Sequence, residues 1–596
     1  MNPATAATMP DEAAGPEAVS RRRMGAWLTW AAPAAAAAAL GCTQIGVPML
    51  WRDELATWSA TSRTVPQLWM MVHHIDAVLG VYYFGLHLWL AIFGDSATAM
   101  RLPSAIAMTV SAAAVALAGR RLGGAGAGLA GGLLFALIPS VSRYAQEARP
   151  YAFAACFAAL ATLLLLRAAE LPRWHRWAWY ALALAAAGAA NLVALCVLAG
   201  HAVAVLAACW QRTPSSGRVT ARVRSALTAR LAVATLAGFC LSAIAAIVLD
   251  APIVIEGRHQ SLSQIGQQQT PSLVQLTGLR GGLWSQLFCS APVAVAILVL
   301  AVASVAVAPR RAGPWCGLAL AVVPIVAVWL ISHGPASYWV VRYLLFSVPA
   351  WALSAGLGVA GITEWSRRLP GPRVLRLPRA GVAVPPRSAV AYAVAVGLVV
   401  TTGLLGVRDQ QAIRQPEAHN RWAYPLAEAN GEPVDYRGAA QVIAAHEQPS
   451  DGIAFQVSDQ NHYQVDTSVA YYLRGKPMPK PVFQARSQAQ SGTLQPVECA
   501  SQARCRAGLA GTRRLWVVYV NHLVQGSYRN PLLAVTADEA AVLRTAGYRI
   551  AALYPKDGIT VALLVTQGFR SMRKQAGPAP VRAGAGPATP AVTRRY

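Results

Sequence analysis

Residues 26–54 read AWLTWAAPAAAAAALGCTQIGVPMLWRDE, an apolar stretch that ends in two adjacent carboxylates, Asp53 and Glu54. A helix needs about 20 apolar residues to cross the hydrocarbon core of a bilayer. Residues 26–48 are long enough for one crossing. The stretch therefore predicts a membrane span that delivers an acidic pair to the membrane surface, where carboxylates close to lipid are candidates for function.

The composition extends this prediction to the whole chain. Of the 596 residues, 55% are hydrophobic and only 13% are charged, whereas soluble proteins have about 25% charged residues. The net charge of +26 comes from arginines in short clusters between apolar runs. A nucleic-acid-binding protein would instead carry its cations along one face or helix. We therefore predict an α-helical polytopic membrane protein that is embedded in the lipid bilayer and does not bind nucleic acid.

The apolar runs predict about 11 spans. They lie at 26–48, 102–119, 126–141, 151–166, 178–192, 193–210, 231–249, 284–308, 314–332, 342–362 and 389–407. The run 78–94 is short and rich in aromatic residues, and we predict that it forms a helix lying in the membrane interface.

The distribution of arginine predicts the orientation. Loops on the side of the N-terminus carry 21 arginines, and the opposite loops up to residue 342 carry eight. Because cytoplasmic loops are enriched in Lys and Arg, we predict a plasma-membrane protein with a cytoplasmic N-terminus. The first outer loop, 49–101, and the region after the last span are then extracytoplasmic.

The same reasoning predicts four regions. Residues 1–25 form a disordered cytoplasmic segment, 26–407 the membrane module, 408–568 an extracytoplasmic α/β domain and 569–596 a disordered basic tail.

Local signals predict the secondary structure of the α/β domain. Asp435 can cap a helix over 436–446, and T-A-D-E at 536–539 is typical of a capping box that opens a second helix. Strands are predicted at 452–457, 514–520, 549–554 and 559–566. Cys499 and Cys505, in a polar segment, are predicted to form a disulfide in an oxidising compartment.

A second group of ionisable residues lies in S-R-Y-A-Q-E-A-R-P-Y at 142–151, between two predicted spans. It places Arg143, Glu147 and Arg149 at the outer interface, where the forked guanidinium group suits phosphate oxygens. The alternative is a positioning salt bridge between Glu147 and one of the two arginines. Arg342, followed by Tyr343, begins the tenth predicted span; it is a second candidate for phosphate, and snorkelling of its side chain is the alternative.

Five strings in the chain resemble a known family. They are W-R-D-E at 51–54, Y-Y-x-x-x-H-L-W-L-x-x-F-G at 82–94, R-L-P-S at 101–104, Y-A-Q-E-A-R-P-Y-A at 144–152 and R-Y-L-L-F-S-V-P-A at 342–350. In this order they resemble bacterial C-superfamily glycosyltransferases, in the group that includes protein O-mannosyltransferases and the lipid A aminoarabinose transferase. The resemblance covers residues 26–360.

The resemblance implies a polyprenyl-phosphate-linked sugar as donor, with Asp53 as the base on the acceptor hydroxyl and Glu54 as its catalytic neighbour. Arg149 matches a position that contacts donor phosphate, or is acidic, in relatives. Arg342 and Tyr343 are the further candidates for the phosphate. Supporting roles are expected for Glu147, His73, His74 and Asp76, although His73-His74-Ile75-Asp76 stands where many relatives have His-Pro-Pro.

The expected reaction is inverting transfer of a hexose, with mannose as the first guess, to an extracytoplasmic protein, glycolipid or polysaccharide. A divalent ion (Mg or Mn) held by Asp53, Glu54 or Glu147 could supplement or replace an arginine. Two alternatives come from other classes: a transporter or flippase, and a non-catalytic subunit of cell-envelope assembly. Transporters bind near the midplane, whereas the acidic residues here gather at one face, and this pattern favours an interfacial enzyme.

Overall fold

The computed structural model describes residues 16–211, 219–264, 270–279, 282–368, 387–416, 434–456, 464–521 and 529–566. The predicted disordered tail 569–596 lies outside the described residues, as do residues 1–15. The first helix begins at Pro16, earlier than predicted. Residues 16–25 are mostly Glu, Ala, Arg and Met, which favour helix, so the helix starts before the apolar stretch.

The described chain up to residue 416 is helical. The α-helices are α1 Pro16–Cys42, α2 Arg52–Thr61, α3 Val65–His74, α4 Gly80–Phe93, α5 Ala97–Leu137, α6 Pro139–Ala145, α7 Tyr151–Glu170, α8 Trp174–Ala190, α9 Val197–Gln211, α10 Val219–Gln264, α11 Leu273–Thr277, α12 Leu283–Leu287, α13 Ala291–Val307, α14 Ala312–Ile331, α15 Val348–Arg368, α16 Arg387–Leu405 and α17 Val407–Ala412. Short 3-10 helices cover Ala77–Leu79, Leu192–Cys196 and Val341–Ser347.

Six helical stretches among the described residues are long and apolar enough to cross a membrane. They are Ala97–Leu137, Tyr151–Glu170, Leu192–Cys209, Ala229–Gln260, Ala312–Ile331 and Val341–Arg368. Shorter apolar helices cover Trp27–Cys42, Ala77–Phe93, Ala291–Val307 and Ala389–Leu405. The prediction of a multi-pass helical membrane protein is confirmed, whereas the number of eleven spans stays a prediction.

Helix α5 contains the predicted span 102–119 and most of the predicted span 126–141, joined by a sharp reversal. Gly124 has φ +84°, a left-handed conformation that favours glycine. A Cβ on Gly128 would lie 2.3 Å from the carbonyl oxygen of Ala116, yet residues this far apart in a straight helix are about 18 Å apart. The chain therefore folds back as a helical hairpin, and Gly128 permits the close approach of its arms.

The predicted span 284–308 is interrupted in the structure. Helix α12 ends at Leu287 and α13 begins at Ala291. The hydroxyl of Ser290 accepts a hydrogen bond from the backbone N–H of Val293, and Pro292 lies in the first turn. A serine cap followed by proline starts a new helix, and this local signal divides an apolar run that hydropathy alone reads as continuous.

The described residues after 434 form sheets flanked by short helices. The helices are Tyr436–His446, Val465–Tyr472, Gln488–Ser491, Gln502–Gly508 and Ala537–Thr545, with a 3-10 turn at Pro531–Leu533. The strands are β1 Gly452–Phe455, β2 Lys480–Pro481, β3 Gln484–Arg486, β4 Val497–Glu498, β5 Arg514–Val520, β6 Tyr548–Lys556 and β7 Ile559–Thr566.

Five of these strands form a mixed sheet in the order β2-β1-β5-β7-β6. Strand β1 runs parallel to β2 and β5, whereas β7 runs antiparallel to β5 and β6. Both predicted helix caps are confirmed, because Asp435 accepts from the N–H of Gly438 and Thr536 and Glu539 form a capping box. Cys499 and Cys505 are joined in a disulfide.

The orientation of the chain can be tested with a single introduced cysteine. Val65 begins α3 in the first outer loop and is 52% exposed. We expect Val65→Cys to react with a membrane-impermeant maleimide in intact cells, because arginine counting places this loop outside. His175→Cys, at an exposed position in the first turn of α8, should react only after permeabilisation. The unaltered chain gives the background of its own cysteines, and protection at position 65 would overturn the topology.

Candidate active site

Helix α2 places Asp53 and Glu54 in its first turn, directly after the buried Trp51. The backbone N–H of Trp51 donates to the Glu54 carboxylate at 3.4 Å. Acidic side chains are favoured at this end of a helix, where the unpaired N–H groups carry partial positive charge. Successive residues of a helix point about 100° apart. The two neighbouring carboxylates therefore enter different environments.

Glu54 is fully buried and is paired with Arg101 of helix α5. The Nε and one Nη of Arg101 donate to the two carboxylate oxygens of Glu54, at 2.8 and 2.7 Å. The remaining donors of the guanidinium group bind the backbone carbonyls of Ile45, Pro48 and Met49. All five N–H groups of Arg101 are thus used, and the side chains of this pair have 0% exposure.

The same carboxylate connects residues 49–101 to the 142–151 segment. Glu54 Oε1 also accepts from the backbone N–H of Ala148 at 2.9 Å. The hydroxyl of Ser104, one turn after Arg101, donates to the carbonyl of Glu147 at 2.7 Å. These bonds fix the short 142–151 segment against α2, and they bring Arg149 close to Asp53.

Asp53 faces three guanidinium groups. Its Oδ1 lies 3.4 Å from Nε of Arg52, and its Oδ2 lies 3.9 Å from Nη2 of Arg149 and 3.8 Å from Nη2 of Arg342. The Asp53 side chain is 16% exposed, in contrast to the fully buried Glu54. Of the two adjacent carboxylates, Asp53 is the one that a ligand can reach.

Both arginines opposite Asp53 are oriented by hydroxyl groups. Arg149 Nη1 lies 3.4 Å from the Thr57 hydroxyl and 3.3 Å from that of Tyr83. Arg342 Nε donates to the hydroxyl of Tyr151 at 3.1 Å. The Nε of Arg149 has no hydrogen-bond partner in the described part of the chain. The guanidinium groups are therefore held in place while donor capacity remains for an anion.

Asp76 joins this arrangement from the middle of the 49–101 segment. The Tyr83 hydroxyl donates to Asp76 Oδ2 at 3.0 Å, so Asp76 orients the tyrosine that contacts Arg149. Asp76 itself has φ +60°, a backbone conformation in which Asp is among the more tolerant residues. The structure thus connects Asp76 to Asp53 through Tyr83 and Arg149.

Glu147 forms a buried ion pair with Arg143. Burial raises the pKa of Glu147, and the Arg143 guanidinium opposes that shift. Its second oxygen, Oε1, has no hydrogen-bond partner among the residues that the structure describes. Arg143 and Arg342 each lie 5.9 Å from the ring of Trp51, a cation–π distance. The positioning salt bridge considered from the sequence is therefore present, with Arg143 as its partner.

Of the remaining predicted site residues, Tyr343 lies beside the cluster around Asp53, whereas His73 and His74 make contacts elsewhere. Tyr343 packs against Tyr151, with ring centroids 5.9 Å apart, and so lies beside the Arg342 guanidinium. His73 contacts the carbonyl of its own helix neighbour Trp69. The His74 ring lies against Gly492. Within the described residues neither histidine hydrogen-bonds to the Asp53 cluster, and their expected supporting roles stay predictions.

The carboxylates that were candidates for a divalent ion contact arginines instead: Glu54 with Arg101, Glu147 with Arg143, and Asp53 with three. Among the described residues, no group of three or more His, Cys, Asp and Glu side chains is arranged to hold a metal ion. These donor sets do not fit a Mg²⁺ or Mn²⁺ site, which needs several free oxygen ligands.

Residues after 434 dock on the helix that carries Asp53. The Tyr472 hydroxyl accepts a hydrogen bond from the backbone N–H of Leu50 at 2.9 Å. The Ser59 hydroxyl donates to the side chain of Gln488 at 2.9 Å, and Arg474 pairs with Asp95 at 3.2 Å. Residues 49–101 are therefore held between the long apolar helices on one side and the sheet-bearing region on the other.

Several residues of the site were not singled out from the sequence. Arg101 belongs to the R-L-P-S string, so its motif was noticed and its pairing with Glu54 was not. Tyr83 and Tyr151 also lie inside quoted strings, and only the folded chain shows that their hydroxyls orient Arg149 and Arg342. Tyr151 could have been found from its place two residues after Arg149 in one string, whereas the string that contains Tyr83 has no arginine and gives no such signal.

The fold and the site define a multi-pass helical membrane protein with an ionic cluster assembled from segments that connect its helices. Residues 80–246 match the family model described as dolichyl-phosphate-mannose-protein mannosyltransferase. The predicted resemblance to C-superfamily glycosyltransferases is confirmed by this match. No curated protein matches the chain.

The chain also aligns with solved structures at low sequence identity. ArnT from Cupriavidus metallidurans bound to undecaprenyl phosphate has 15% identity and a TM-score of 0.48, with 94% of this chain and 100% of that chain covered. The archaeal oligosaccharyltransferase AglB from Archaeoglobus fulgidus, in complex with an inhibitory peptide and a dolichol-phosphate, has 13% identity and a TM-score of 0.39. That alignment covers 82% of this chain and 66% of AglB.

Proposed function

We propose that the protein is a membrane glycosyltransferase that moves a hexose, with mannose as the first guess, from a polyprenyl-phosphate donor to an extracytoplasmic acceptor. The acceptor is a hydroxyl of a protein, glycolipid or polysaccharide. The observation that carries the proposal is the position of one accessible carboxylate, Asp53, opposite the oriented guanidinium groups of Arg149 and Arg342. The family match over residues 80–246 supports the same reaction class.

In the proposed inverting transfer, Asp53 acts on the acceptor and the two arginines act on the leaving phosphate. Asp53 takes the proton of the acceptor hydroxyl as its oxygen forms a bond to the anomeric carbon of the donor sugar. The bond from that carbon to the phosphate oxygen breaks, and its electron pair remains on the lipid phosphate. Arg149 and Arg342 stabilise the negative charge that the phosphate gains, and their fixed orientation means that little reorganisation is needed during the step.

Glu54 has a positioning role in this proposal. Its two oxygens are engaged by Arg101 and by the N–H of Ala148, and its side chain is inaccessible. It therefore holds α2 and the 142–151 segment together, and Asp53 alone is the base.

The proposed reaction is tested with membranes that contain the full chain and radiolabelled polyprenyl phosphates carrying mannose, glucose or galactose. We expect label from one of these donors to move to a cellular acceptor. Membranes with the Asp53→Asn variant should not transfer it. Transfer from nucleotide sugars alone, or equal transfer by the variant, would refute the proposal.

The role of the arginines predicts an effect on donor use. Arg149→Gln should lower the rate of transfer at limiting donor by about 100-fold to 1,000-fold, the usual cost of losing one donor to a developing oxyanion. The dependence on acceptor concentration should change little. Rates measured against varied donor and acceptor check this, with Arg311→Gln, in an exposed ion pair with Glu364, as the control. A larger effect on acceptor use would remove Arg149 from the phosphate site.

A further inference from the structure

Asp53 lies where the donor phosphate is proposed to bind. Its Oδ2 faces the terminal nitrogens of both Arg149 and Arg342, at 3.9 and 3.8 Å. These are the N–H groups that the proposed function assigns to the phosphate. In the structure, the carboxylate thus contacts the anion-binding groups of its own site.

The two guanidinium groups have little freedom to rotate, so they cannot easily bind the Asp53 carboxylate and the donor phosphate at the same time. Arg149 is held at its other end by the hydroxyls of Thr57 and Tyr83, and Arg342 by that of Tyr151. Their side chains are 10% and 25% exposed, so little free space surrounds them. A phosphate bound by the Nε–Nη2 fork of Arg149, or by Nη2 of Arg342, therefore meets nitrogens that Asp53 faces.

A base must present an oxygen to the acceptor hydroxyl within about 2.6–3.2 Å. While Oδ2 faces two guanidinium groups, it is a weak base. Nearby positive charge stabilises the ionised carboxylate, so the carboxylate accepts the proton of the acceptor hydroxyl less readily. When phosphate oxygens take over the guanidinium N–H groups, Oδ2 is released toward the hydroxyl. Asp53 Oδ2 lies beyond hydrogen-bond distance of both nitrogens, so a phosphate whose oxygens match the forked donors of arginine can displace it.

We propose that Asp53 and the donor phosphate bind alternately to the Arg149 and Arg342 pair, so that the base becomes available only after the donor has bound. This inference rests on the proposed function and adds the order in which the substrates bind, with the donor first and the acceptor second. The contact between Asp53 and the arginines is then an autoinhibitory one, which the lipid phosphate relieves.

The experiment measures binding of undecaprenyl phosphate, without sugar or acceptor, to the purified full chain in detergent. If Asp53 occupies the arginine pair in about nine of ten molecules, its removal raises the affinity about tenfold. We therefore expect Asp53→Asn to bind undecaprenyl phosphate about tenfold more tightly than the wild type. Asp95→Asn, which removes a carboxylate from the same outer loop but from a pair with Arg474, should bind like the wild type.

A second comparison distinguishes competition from a general change of structure. In an Arg149→Gln, Arg342→Gln background, Asp53→Asn should give no gain in affinity, because the groups for which it competes are absent. Asp53→Ser serves as an independent variant, and the melting temperature of each variant reports its folding.

The outcomes separate the inference from the proposed function. If the wild type binds undecaprenyl phosphate and both Asp53 variants bind it equally or more weakly, the competition is overturned while the proposed donor class stands. A gain that persists without the two arginines also overturns the competition. If neither the wild type nor any Asp53 variant binds, both the donor class and the inference fail.

Discussion

Asp53→Asn is expected to lower sugar transfer by about 100-fold to 10,000-fold, the usual contribution of a positioned general base. The amide has nearly the same shape as the carboxylate but cannot take the acceptor proton. Asp53 is the accessible carboxylate of the cluster and faces Arg149 and Arg342. The measurement is the rate of transfer from a radiolabelled polyprenyl-phosphate sugar in membranes with matched amounts of each protein.

The control for this substitution is Asp95→Asn. Asp95 lies in the same outer loop, and its carboxylate pairs with Arg474 and accepts from the Trp58 indole N–H. Its loss removes one negative charge from the same face without touching the arginine pair. We expect Asp95→Asn to keep most of the activity. A fully active Asp53→Asn variant would exclude Asp53 as the base.

Arg101→Met should destabilise the fold by about 3–5 kcal/mol, the usual cost of breaking a buried ion pair by removal of one partner. The substitution leaves Glu54 buried without its main partner and leaves the carbonyls of Ile45, Pro48 and Met49 without their donors. Thermal unfolding in detergent, followed by loss of the monodisperse protein, measures the effect. Activity should fall as well, because the pair fixes α2.

An exposed pair provides the matched comparison. Arg311 and Glu364 form two hydrogen bonds but are 57% and 36% exposed. Exposed ion pairs contribute less than about 1 kcal/mol, so Arg311→Met should shift the melting temperature little. Equal shifts for Arg101→Met and Arg311→Met would show that the Glu54 pair does not hold the outer loop.

The sequence predicted the parts of the site that depend on residue type and on position relative to the spans. Asp53, Arg149 and Arg342 each lie next to an apolar run. An ionisable residue in such a position is a candidate for function by itself, without knowledge of its partners. The structure brings these three residues, which are distant in sequence, into one cluster. Their closeness in space is observed, whereas their roles in binding and catalysis stay predictions.

The sequence did not predict that Glu54 is buried in an ion pair while Asp53 stays accessible. The two residues are adjacent in sequence, but the helix directs their side chains to different sides. The partner of Glu54 is Arg101, which is 47 residues away in sequence. Pairings of this kind depend on how helices α2 and α5 pack, which no local pattern records. The docking of Tyr472 on the N–H of Leu50 is a contact over a longer separation still, and it was missed for the same reason.

Fold prediction was accurate where local signals were strong. The caps at Asp435 and Thr536 placed two helices, and alternating strands β6 and β7 were found around their turn. It was less accurate where hydropathy was the only guide. The run 284–308 hides a break at Ser290, because a serine cap changes the backbone without changing the mean hydropathy of the segment.

The most direct test of the central claim is lipid and glycan analysis of cells that lack the protein, complemented with the wild type or with Asp53→Asn. The deletion should cause one polyprenyl-phosphate sugar to accumulate and one extracytoplasmic glycan to disappear. The wild type should reverse both changes, and Asp53→Asn should reverse neither. Restoration by the variant, or loss of the glycan without any accumulated polyprenyl-phosphate sugar, would contradict transfer from a lipid-linked donor with Asp53 as its base.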